Sequence, residues 1–504
     1  MKQNFFLFIF LIFSVFTIQA QQSISAKLID SISQTPIPYA TIEFNEKSGV
    51  ISNEHGKFQI YINKSITSKD SLFIRCLGFE TKRIAAQKFT DSIIILSPKS
   101  IELKEVMVSN KNYTIEEIIE KVIENIATNY DFEFTKSKLF YRESYFTNIL
   151  KNDVKVIKSS IPEFNQKFID SILFLMPKNT DDYTEILGNL YGKTGDDELQ
   201  KLDIIKASHL YDKSKEITFE GFEEKFNTIL KKYVKRDSYF KIKSGIFGTK
   251  EDIDSSFFDN PKAKQTEALL EQEKKKELEK KQNFLKFRKH TIAGLENHSF
   301  IFEDTKLNFL EKHNKYNFEL LDYIFLNDEF VYKVKFTPKR SADFKGIIYI
   351  NTDDFAIVRL DYHNVKALKK FNLFGLSFTH HLQKGTLIYS KNTSNKYALK
   401  YADIEQGSKF GVKRPLKIIE KNKHVKGRRK QNELSTKIHF IISNTTKKEL
   451  VVFENESILE ETYNAFKEKA DVEATYLPKY DPEFWKGYNV IEPNQAIKNF
   501  KSIE

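Results

Sequence analysis

A period-two pattern of apolar residues in the second half of the chain constrains its fold most strongly. Between residues 291 and 456, apolar and polar side chains alternate in FVYKVKFTP (330–338), GTLIYS, KYALKYADI, STKIHFIIS and KELVVFE. Successive side chains of a β-strand point to opposite faces, so this pattern separates apolar from charged residues. FKGIIYINTDDFAIVRLDYH adds a hairpin that turns at 351–354. The sequence therefore predicts a long antiparallel meander with one apolar face.

Two strands of this meander supply the candidate site residues. If the sheet curls, its apolar face would line a groove through Tyr332, Val334, Phe336, Val358, Leu360 and Tyr362. The alternative is that these six residues are ordinary core, packed under an amphipathic helix. That helix is predicted from a capping box at Thr114 and Glu117, followed by apolar residues at helical spacing from Ile118 to Ile126. Both interpretations stay open at this point.

Residues 23–98 carry a second, shorter set of strand signals. SISAKLID, YATIEF, KFQIYI, SLFIRCLGF and DSIIILSP are separated by turn clusters, and Gly56 follows Asn53 where a turn favours positive φ. Strands this short and this closely spaced predict a small antiparallel β-sandwich. Alternation assigns its core to Ile42, Phe44, Phe58, Ile60, Phe73 and Phe79.

These strands resemble the carboxypeptidase-regulatory-like (transthyretin-like, Ig-like) domain. PIPYATI (36–42) is similar to its PLPGATV strand, and GVISNEHGKF (49–58) to its G-x-x-T-D-x-x-G-x-F turn. Segments 70–80 and 101–106 resemble its D-x-L strand and the tail that follows it in exported Gram-negative envelope proteins. The resemblance implies an accessory domain without chemistry of its own. None of the ten histidines begins the HxxE or HExxH pattern that a zinc peptidase needs.

The first twenty residues predict export. Lys2 precedes an apolar run from Phe5 to Ile18, and Ala20 offers a cleavage position, as in a secretory signal. The run is shorter than the roughly 20 apolar residues of a spanning helix, and no later stretch is apolar enough, so we expect no transmembrane helix after signal cleavage. Cys76 is the one cysteine, which excludes an internal disulfide and favours a small buried side chain. The formal charge of +11 is a modest excess over mixed charges, and nucleic acid is not an expected partner outside the cytoplasm.

The region between the two β-rich parts carries helix signals. SKLFYRESYF (137–146) predicts a strand, whereas segments 160–177, 196–208 and 222–234 are helix-like. Residues 261–288 predict a charged helix whose apolar positions are too sparse for a heptad seam, so a solvated helix is favoured over a partner-binding coil. The predicted organisation is a signal peptide (1–20), the sandwich (21–98), a connector (99–110), a mixed helical and antiparallel-sheet domain (111–456) and a C-terminal tail (457–504).

A second resemblance concerns the mixed domain. Its helix-first layout and its hairpin resemble the curved half-barrel of bacterial lipoprotein carriers, in which a meander wraps an apolar groove. A similar block follows the same sandwich in larger uncharacterised envelope proteins. These resemblances imply an α+β multidomain protein that is periplasmic or outer-membrane associated.

No group of residues in the sequence forms a recognisable catalytic motif. His380 and His381 are adjacent on a predicted strand and point to opposite faces, so they are poor joint ligands. The Asp pairs at 181–182, 196–197 and 353–354 are typical of loops, caps or turns. The basic segment KNKHVKGRRK (421–430) is interpreted as a solvated loop, with contact to anionic lipid as an alternative. The sequence predicts no catalytic residue, no metal and no cofactor.

The function predicted from these observations is binding rather than catalysis. We expect a non-enzymatic cell-envelope protein that binds a protein partner or a lipid-like, apolar ligand through its C-terminal domain. One alternative is an envelope hydrolase acting on glycan or peptide, whose paired carboxylates would be distant in sequence. Another is a small outer-membrane barrel or a receptor-associated protein.

Overall fold

A computed structural model describes residues 22–46, 48–99, 113–215, 220–253, 266–326, 329–426, 429–469 and 472–503. The predicted signal peptide and residues 100–110 of the predicted connector lie outside these described residues. The chain divides into two compact units. Unit 1 comprises Met1–Asn110, Tyr323–Val331 and Asp481–Lys498, and unit 2 comprises Lys111–Asp322, Tyr332–Tyr480 and Asn499–Glu504. Within the described residues, no helix combines the length and apolar character needed to cross a bilayer.

Unit 1 contains two sheets around one core. Its strands are β1 (Gln22–Asp30), β2 (Thr41–Phe44), β3 (Ser48–Ile51), β4 (Lys57–Ile62), β5 (Ser71–Arg75), β6 (Lys82–Ala85) and β7 (Ile93–Leu96). One sheet has the order β4-β1-β7 and the other β3-β2-β5-β6. Ile42, Phe44, Phe58 and Ile60 are buried between them, together with Cys76. Gly56 adopts φ +72°, as predicted, and a Cβ there would lie 2.6 Å from the Leu28 carbonyl oxygen.

Two predictions for the sandwich are wrong. The sandwich is not wholly antiparallel, because β7 runs parallel to β1. The chain crosses from one sheet to the other between β6 and β7, and β7 then runs in the same direction as β1. Phe73 pairs with Glu43 and therefore lies on the outer face, where the guanidinium groups of Arg75 and Arg83 are each 5.4 Å from its ring centroid. The core positions on β5 are those of Leu72 and Ile74.

The C-terminal residues of unit 1 pack on the sandwich. The Asn53 amide donates to the Glu492 carbonyl oxygen at 3.0 Å, and the Tyr61 backbone N–H donates to Asn489 Oδ1 at 2.7 Å. Trp485 is buried in this segment, and a one-turn helix follows at Gln495–Lys498.

Unit 2 is built on one large sheet and its helices, and residues 323–326 and 329–331 of two strands of this sheet are assigned to unit 1. The helices are α1 (Ile115–Asn129), α2 (Gln166–Leu175), α3 (Glu220–Tyr233), α4 (Thr266–Asn297) and α5 (Glu460–Ala465). The strands are β8 (Phe134–Ser159), β9 (Asn179–Lys193), β10 (Gln200–Tyr211), β11 (Ser238–Ser244), β12 (Phe247–Asp252), β13 (Tyr316–Leu326), β14 (Glu329–Pro338), β15 (Phe344–Asn351), β16 (Ile357–Asn364), β17 (Lys369–Leu373), β18 (Leu376–Lys391), β19 (Tyr397–Asn422), β20 (Lys430–Ser457) and β21 (Thr475–Leu477).

The order of the main path is β13-β14-β15-β16-β18-β19-β20-β8-β9-β10-β21, with β17 beside β18 and β11 beside β19. The neighbouring strands on this path from β15 to β20 pair antiparallel, as the predicted meander requires. Within it, β19 and β20 pair from Tyr401–Val451 to Lys421–Lys430. The C-terminal part of α4 packs on part of one face of this sheet, where it lines the candidate site together with residues of β16, β18, β19 and β20.

Three local predictions for unit 2 need correction. Segment 196–208 was expected to be helical, but Gln200–Tyr211 forms β10, because its successive residues pair antiparallel along β9. Asp181 and Asp182 lie in β9 rather than in a loop. The charged helix extends to Asn297; it is solvated at Lys275 and Glu279, but Leu285 and the residues from 292 onward pack into the core.

The predicted capping box at the start of α1 is confirmed. The Thr114 side chain accepts from the Glu117 backbone N–H, and the Glu117 carboxylate accepts from the Thr114 backbone N–H at 2.7 Å. Ile118, Ile119 and Val122 form the buried face of this helix. Local sequence therefore determines where α1 begins and which side faces the core.

Candidate ligand-binding site

A cavity of about 870 Å³ lies between α4 and the large sheet, and every residue that lines it belongs to unit 2. We name it the helix–sheet cavity. Its walls come from three sources, namely α4, the segment that follows α4, and strands β16, β18, β19 and β20. The lining residues are Asn283, Lys286, Phe287, His290, Thr291, Gly294, Leu295, His298, Asp304, Thr305, Lys306, Leu307, Tyr362, Gln383, Leu387, Ile404, Gln406 and Lys448.

The inner part of the cavity is apolar. Leu295 and Leu307 approach from the helical layer, and Leu387 and Ile404 from the sheet, and all four are buried. Tyr362 pairs across the strands with Gly385, where a Cβ would lie 3.0 Å from the tyrosine hydroxyl oxygen. A glycine at this position therefore leaves room for the Tyr362 ring on the cavity wall.

Three residues that lie side by side on neighbouring strands form one row across the sheet, and this row holds the charged groups next to the apolar wall. Ile404 pairs with Lys448, and Lys448 pairs with Glu143, so these side chains share the face that α4 covers. The Glu143 carboxylate forms an ion pair with Arg288 of α4, and Arg288 Nη2 also donates to Thr184 Oγ1 at 3.0 Å. Burial and the nearby Arg288 charge lower the pKa of Lys448. The row therefore places a desolvated ammonium beside the apolar wall.

The outer part of the cavity is polar. Lys286, Lys306, His290 and His298 line it, together with the carboxylate of Asp304. Gln383 is buried at the wall, and its Oε1 has no hydrogen-bond partner within the described residues. Two lysines and one aspartate leave a positive excess around this end.

The structure places the six sequence-predicted site residues in the interior. Tyr332, Val334, Phe336, Val358 and Leu360 are at most 6% exposed, and Tyr362 is 4% exposed. The Phe336 ring stacks on Phe309 with centroids 4.5 Å apart, so the segment after α4 covers this strand. Of the six, Tyr362 lines the cavity.

Sequence reasoning missed the helical side of the cavity. Leu285, Ile292 and Leu295 are spaced seven and three residues apart, so they share one face of α4. That spacing could have identified the C-terminal part of α4 as a packed helix. The position of Lys448 at the cavity could not be predicted in the same way, because β20 has lysines on both of its faces.

A buried ion cluster lies on the opposite face of the sheet. Arg142 Nε donates to Glu185 Oε1 at 2.7 Å, and Arg142 Nη1 lies 3.7 Å from Glu449 Oε2. Lys447 lies 3.6 Å from both Asp403 and Glu449. Burial disfavours the Arg142 charge, but Glu185 and Glu449 outweigh that effect and raise the pKa of Arg142. Because each of these cations lies beside carboxylates within the sheet, we assign the cluster a structural role.

A carboxyl group with a raised pKa lies near the end of α4. Glu296 Oε1 accepts from the Leu399 backbone N–H at 3.1 Å, beside a second cavity of about 30 Å³. Burial raises the pKa of Glu296 to about 7, while the Leu399 hydrogen bond opposes that shift and Asp131 adds to it. Glu296 therefore titrates near neutral pH.

The remaining chemical candidates do not line the cavity. His380 is half-buried on β18 and His381 is exposed, while Asp353 and Asp354 lie in the predicted hairpin turn. Asp182 Oδ2 lies 2.7 Å from His209 Nε2, with Tyr211 beside the imidazole. No group of three or more potential metal ligands occurs in the part of the chain that the structure describes.

The basic segment at 421–430 lies at the ends of β19 and β20. Lys423 forms an ion pair with Asp252 at 3.1 Å, and Lys430 pairs with Glu433. Residues 427 and 428 lie outside the described residues. These ion pairs reduce the excess positive charge that the sequence assigned to the segment.

Comparisons with known proteins give weak likenesses. No family model matches the chain, and no curated protein matches it. An outer-membrane lipoprotein-sorting protein domain from Vibrio parahaemolyticus is 10% identical, with 70% of this chain and 97% of that chain covered and a TM-score of 0.20. The MucA/MucB complex of Pseudomonas aeruginosa is 4% identical, with 65% and 92% covered and a TM-score of 0.14. The geometry of the cavity, rather than a relative, therefore carries the functional proposal.

Proposed function

We propose that this protein binds an apolar ligand in the helix–sheet cavity and catalyses no reaction there. The observation that carries the proposal is a cavity whose inner wall is apolar on both the helical and the sheet side. Its volume of about 870 Å³ is within the roughly 300–1,000 Å³ typical of small-molecule sites. A ligand there would bury apolar surface that the protein alone leaves in contact with water.

The chemistry of the walls favours binding over hydrolysis. Glycoside hydrolysis generally requires two carboxyl groups that flank the reacting bond. Among the described lining residues, Asp304 supplies the one carboxylate. The carboxylates of Glu143, Glu185 and Glu449 are already held by arginines.

The wider proposal follows the sequence. The apolar run before Ala20 supports export to the periplasm or the outer membrane. We assign the sandwich of unit 1 as an accessory domain of the carboxypeptidase-regulatory-like type, because segments 36–42, 49–58 and 70–80 resemble that pattern. A lipid-like molecule is the ligand that suits both this location and the apolar cavity.

A neutral environment-sensitive dye tests the proposal. N-phenyl-1-naphthylamine, titrated into the full chain, should give saturable fluorescence enhancement if the cavity accepts apolar molecules. The Thr291→Trp variant places an indole on the cavity-facing side of α4 and should reduce binding at least about ten-fold, because it fills the space. The matched control is Glu279→Trp, which adds the same side chain at an exposed position on the same helix.

The outcomes separate clearly. Binding that Thr291→Trp abolishes and Glu279→Trp preserves supports the cavity as the site. Equal binding by both variants would place the dye elsewhere and overturn the assignment. The proposed function is also overturned if the folded wild-type protein binds no dye.

A further inference from the structure

One lysine beside the apolar wall carries an uncompensated charge. Lys448 is half-buried on the face that α4 covers, its ammonium is reached by solvent from the cavity, and it forms no ion pair or hydrogen bond with the described residues. Lysine at such a position normally finds an anion, because desolvating an unpaired charge is costly. The protein therefore maintains an unfavourable arrangement at this point of the cavity.

The neighbouring acid does not relieve this charge. Glu143 lies directly across from Lys448 in the sheet, yet its carboxylate is held by Arg288. The guanidinium of Arg288 also donates to Thr184, and Arg288 is not among the residues that line the cavity. Because Glu143 is paired with Arg288, the Lys448 ammonium faces the cavity instead of a carboxylate.

Further positive groups lie around the same cavity. Lys286 and Lys306 line its outer part, and neither forms an ion pair within the described residues. Asp304 is the carboxylate that opposes them. Gln383 adds a buried amide whose Oε1 lacks a partner. This end of the cavity therefore offers polar groups and positive potential, whereas the inner end offers Leu295, Leu387 and Ile404.

We infer that the ligand is an amphiphile with a negatively charged end, specifically a long-chain carboxylate, and that Lys448 binds its carboxylate. The inference rests on the proposed function, since it names the chemical class of the ligand in the same cavity. The alkyl chain lies against the apolar wall, and the carboxylate meets the lysine that has no other anion. Binding therefore neutralises the charge of Lys448 and removes the alkyl chain of the ligand from water.

The test compares an acid with its neutral ester. Parinaric acid, a fluorescent long-chain carboxylic acid, and its methyl ester are titrated into the full-length wild-type, Lys448→Met and Lys437→Met proteins. Lys437→Met removes the same charge from an exposed position on the same strand. We expect wild type to bind the acid at least about ten-fold more tightly than the ester, as one charge-assisted hydrogen bond implies. Lys448→Met should lose that difference, and Lys437→Met should keep it.

A second measurement covers the folding of the variant. Because Lys448→Met removes an unpaired, half-buried charge, its thermal midpoint without ligand should equal or exceed that of wild type. A lower midpoint would show that Lys448 stabilises the free protein, which contradicts the inference.

The failures of the two proposals are distinguishable. If acid and ester bind wild type equally and Thr291→Trp weakens both, the cavity binds apolar ligands and the inference about charge is overturned. If Lys448→Met weakens the binding of acid and ester by the same factor, the lysine contributes to the shape of the site and does not bind the carboxylate. This result also overturns the inference. If neither probe binds folded wild type, the proposed function fails and this inference fails with it.

Discussion

The titration of Glu296 should make unit 2 less stable as pH rises towards neutrality. The perturbation is Glu296→Gln, which keeps an oxygen to accept from the Leu399 N–H at the same position. The folded-state pKa is about 7, above the ordinary value of 4.5, so the folded protein binds more protons than the unfolded chain between these limits. The contribution of protonated Glu296 to stability is therefore complete below about pH 4.5 and is lost as pH rises through 7.

The magnitude follows from the size of the shift. A shift from 4.5 to about 7 corresponds to roughly 3 kcal/mol at 1.36 kcal/mol for each pKa unit. Glu296 keeps some contact with solvent, which screens part of this energy, so we expect about 2 kcal/mol. Glu296→Gln should thus match wild type near pH 5, within about 1 kcal/mol, and exceed it by about 2 kcal/mol at pH 8.

The assay is urea unfolding of both proteins at pH 5, 6, 7 and 8, followed by circular dichroism of the β-rich fold. Trp485 belongs to unit 1, so its fluorescence provides an internal comparison. Hydrogen exchange at the Leu399 amide localises the effect to the hydrogen bond with Glu296. A difference between the two proteins that is the same at every pH would refute the titration of Glu296.

Two further predictions concern packing and the buried ion cluster. Arg142→Met leaves Glu185 and Glu449 buried without their guanidinium, so the free energy of unfolding should fall by about 3–5 kcal/mol in urea titrations, and adding Glu185→Gln should recover part of it. A loss below about 1 kcal/mol would contradict the buried ion pair. Gly346→Ala brings a Cβ against the Asp361 carbonyl oxygen and within 2.8 Å of the Phe336 ring, so we expect a loss of about 1–3 kcal/mol, measured by thermal unfolding, and an unchanged midpoint would disprove this close contact.

The strand pattern was largely predictable from local sequence. Alternation identified most strands of the meander and the Asn351–Asp354 turn, because one buried face imposes a period of two. Alternation placed Phe73 in the core, although Leu72 and Ile74 on either side of it are equally apolar. The pairing of Phe73 with Glu43 puts Phe73 on the outer face and Leu72 and Ile74 in the core. Segment 196–208 contains residues that suit either a helix or a strand, and its pairing with β9 decides between them.

The candidate site was less predictable than the fold. The apolar face of β14 and β16 was recognised, but whether it is open depends on the segment around Phe309, which packs against it. The cavity exists because α4 turns its Leu295 side towards Leu387 and Ile404, which are distant in sequence. Pattern analysis of one strand contains no information about such a partner.

The sequence by itself determined which residues are apolar on which face of each strand, where α1 begins and where Gly56 must turn, because these depend on neighbours a few residues away. Only the tertiary structure decided which apolar faces are filled and which charges are compensated. Lys448 illustrates the difference. It lacks an anion because Glu143, opposite it on β8, is held by Arg288 from α4. Three segments separated along the chain must meet before that charge is left for a ligand.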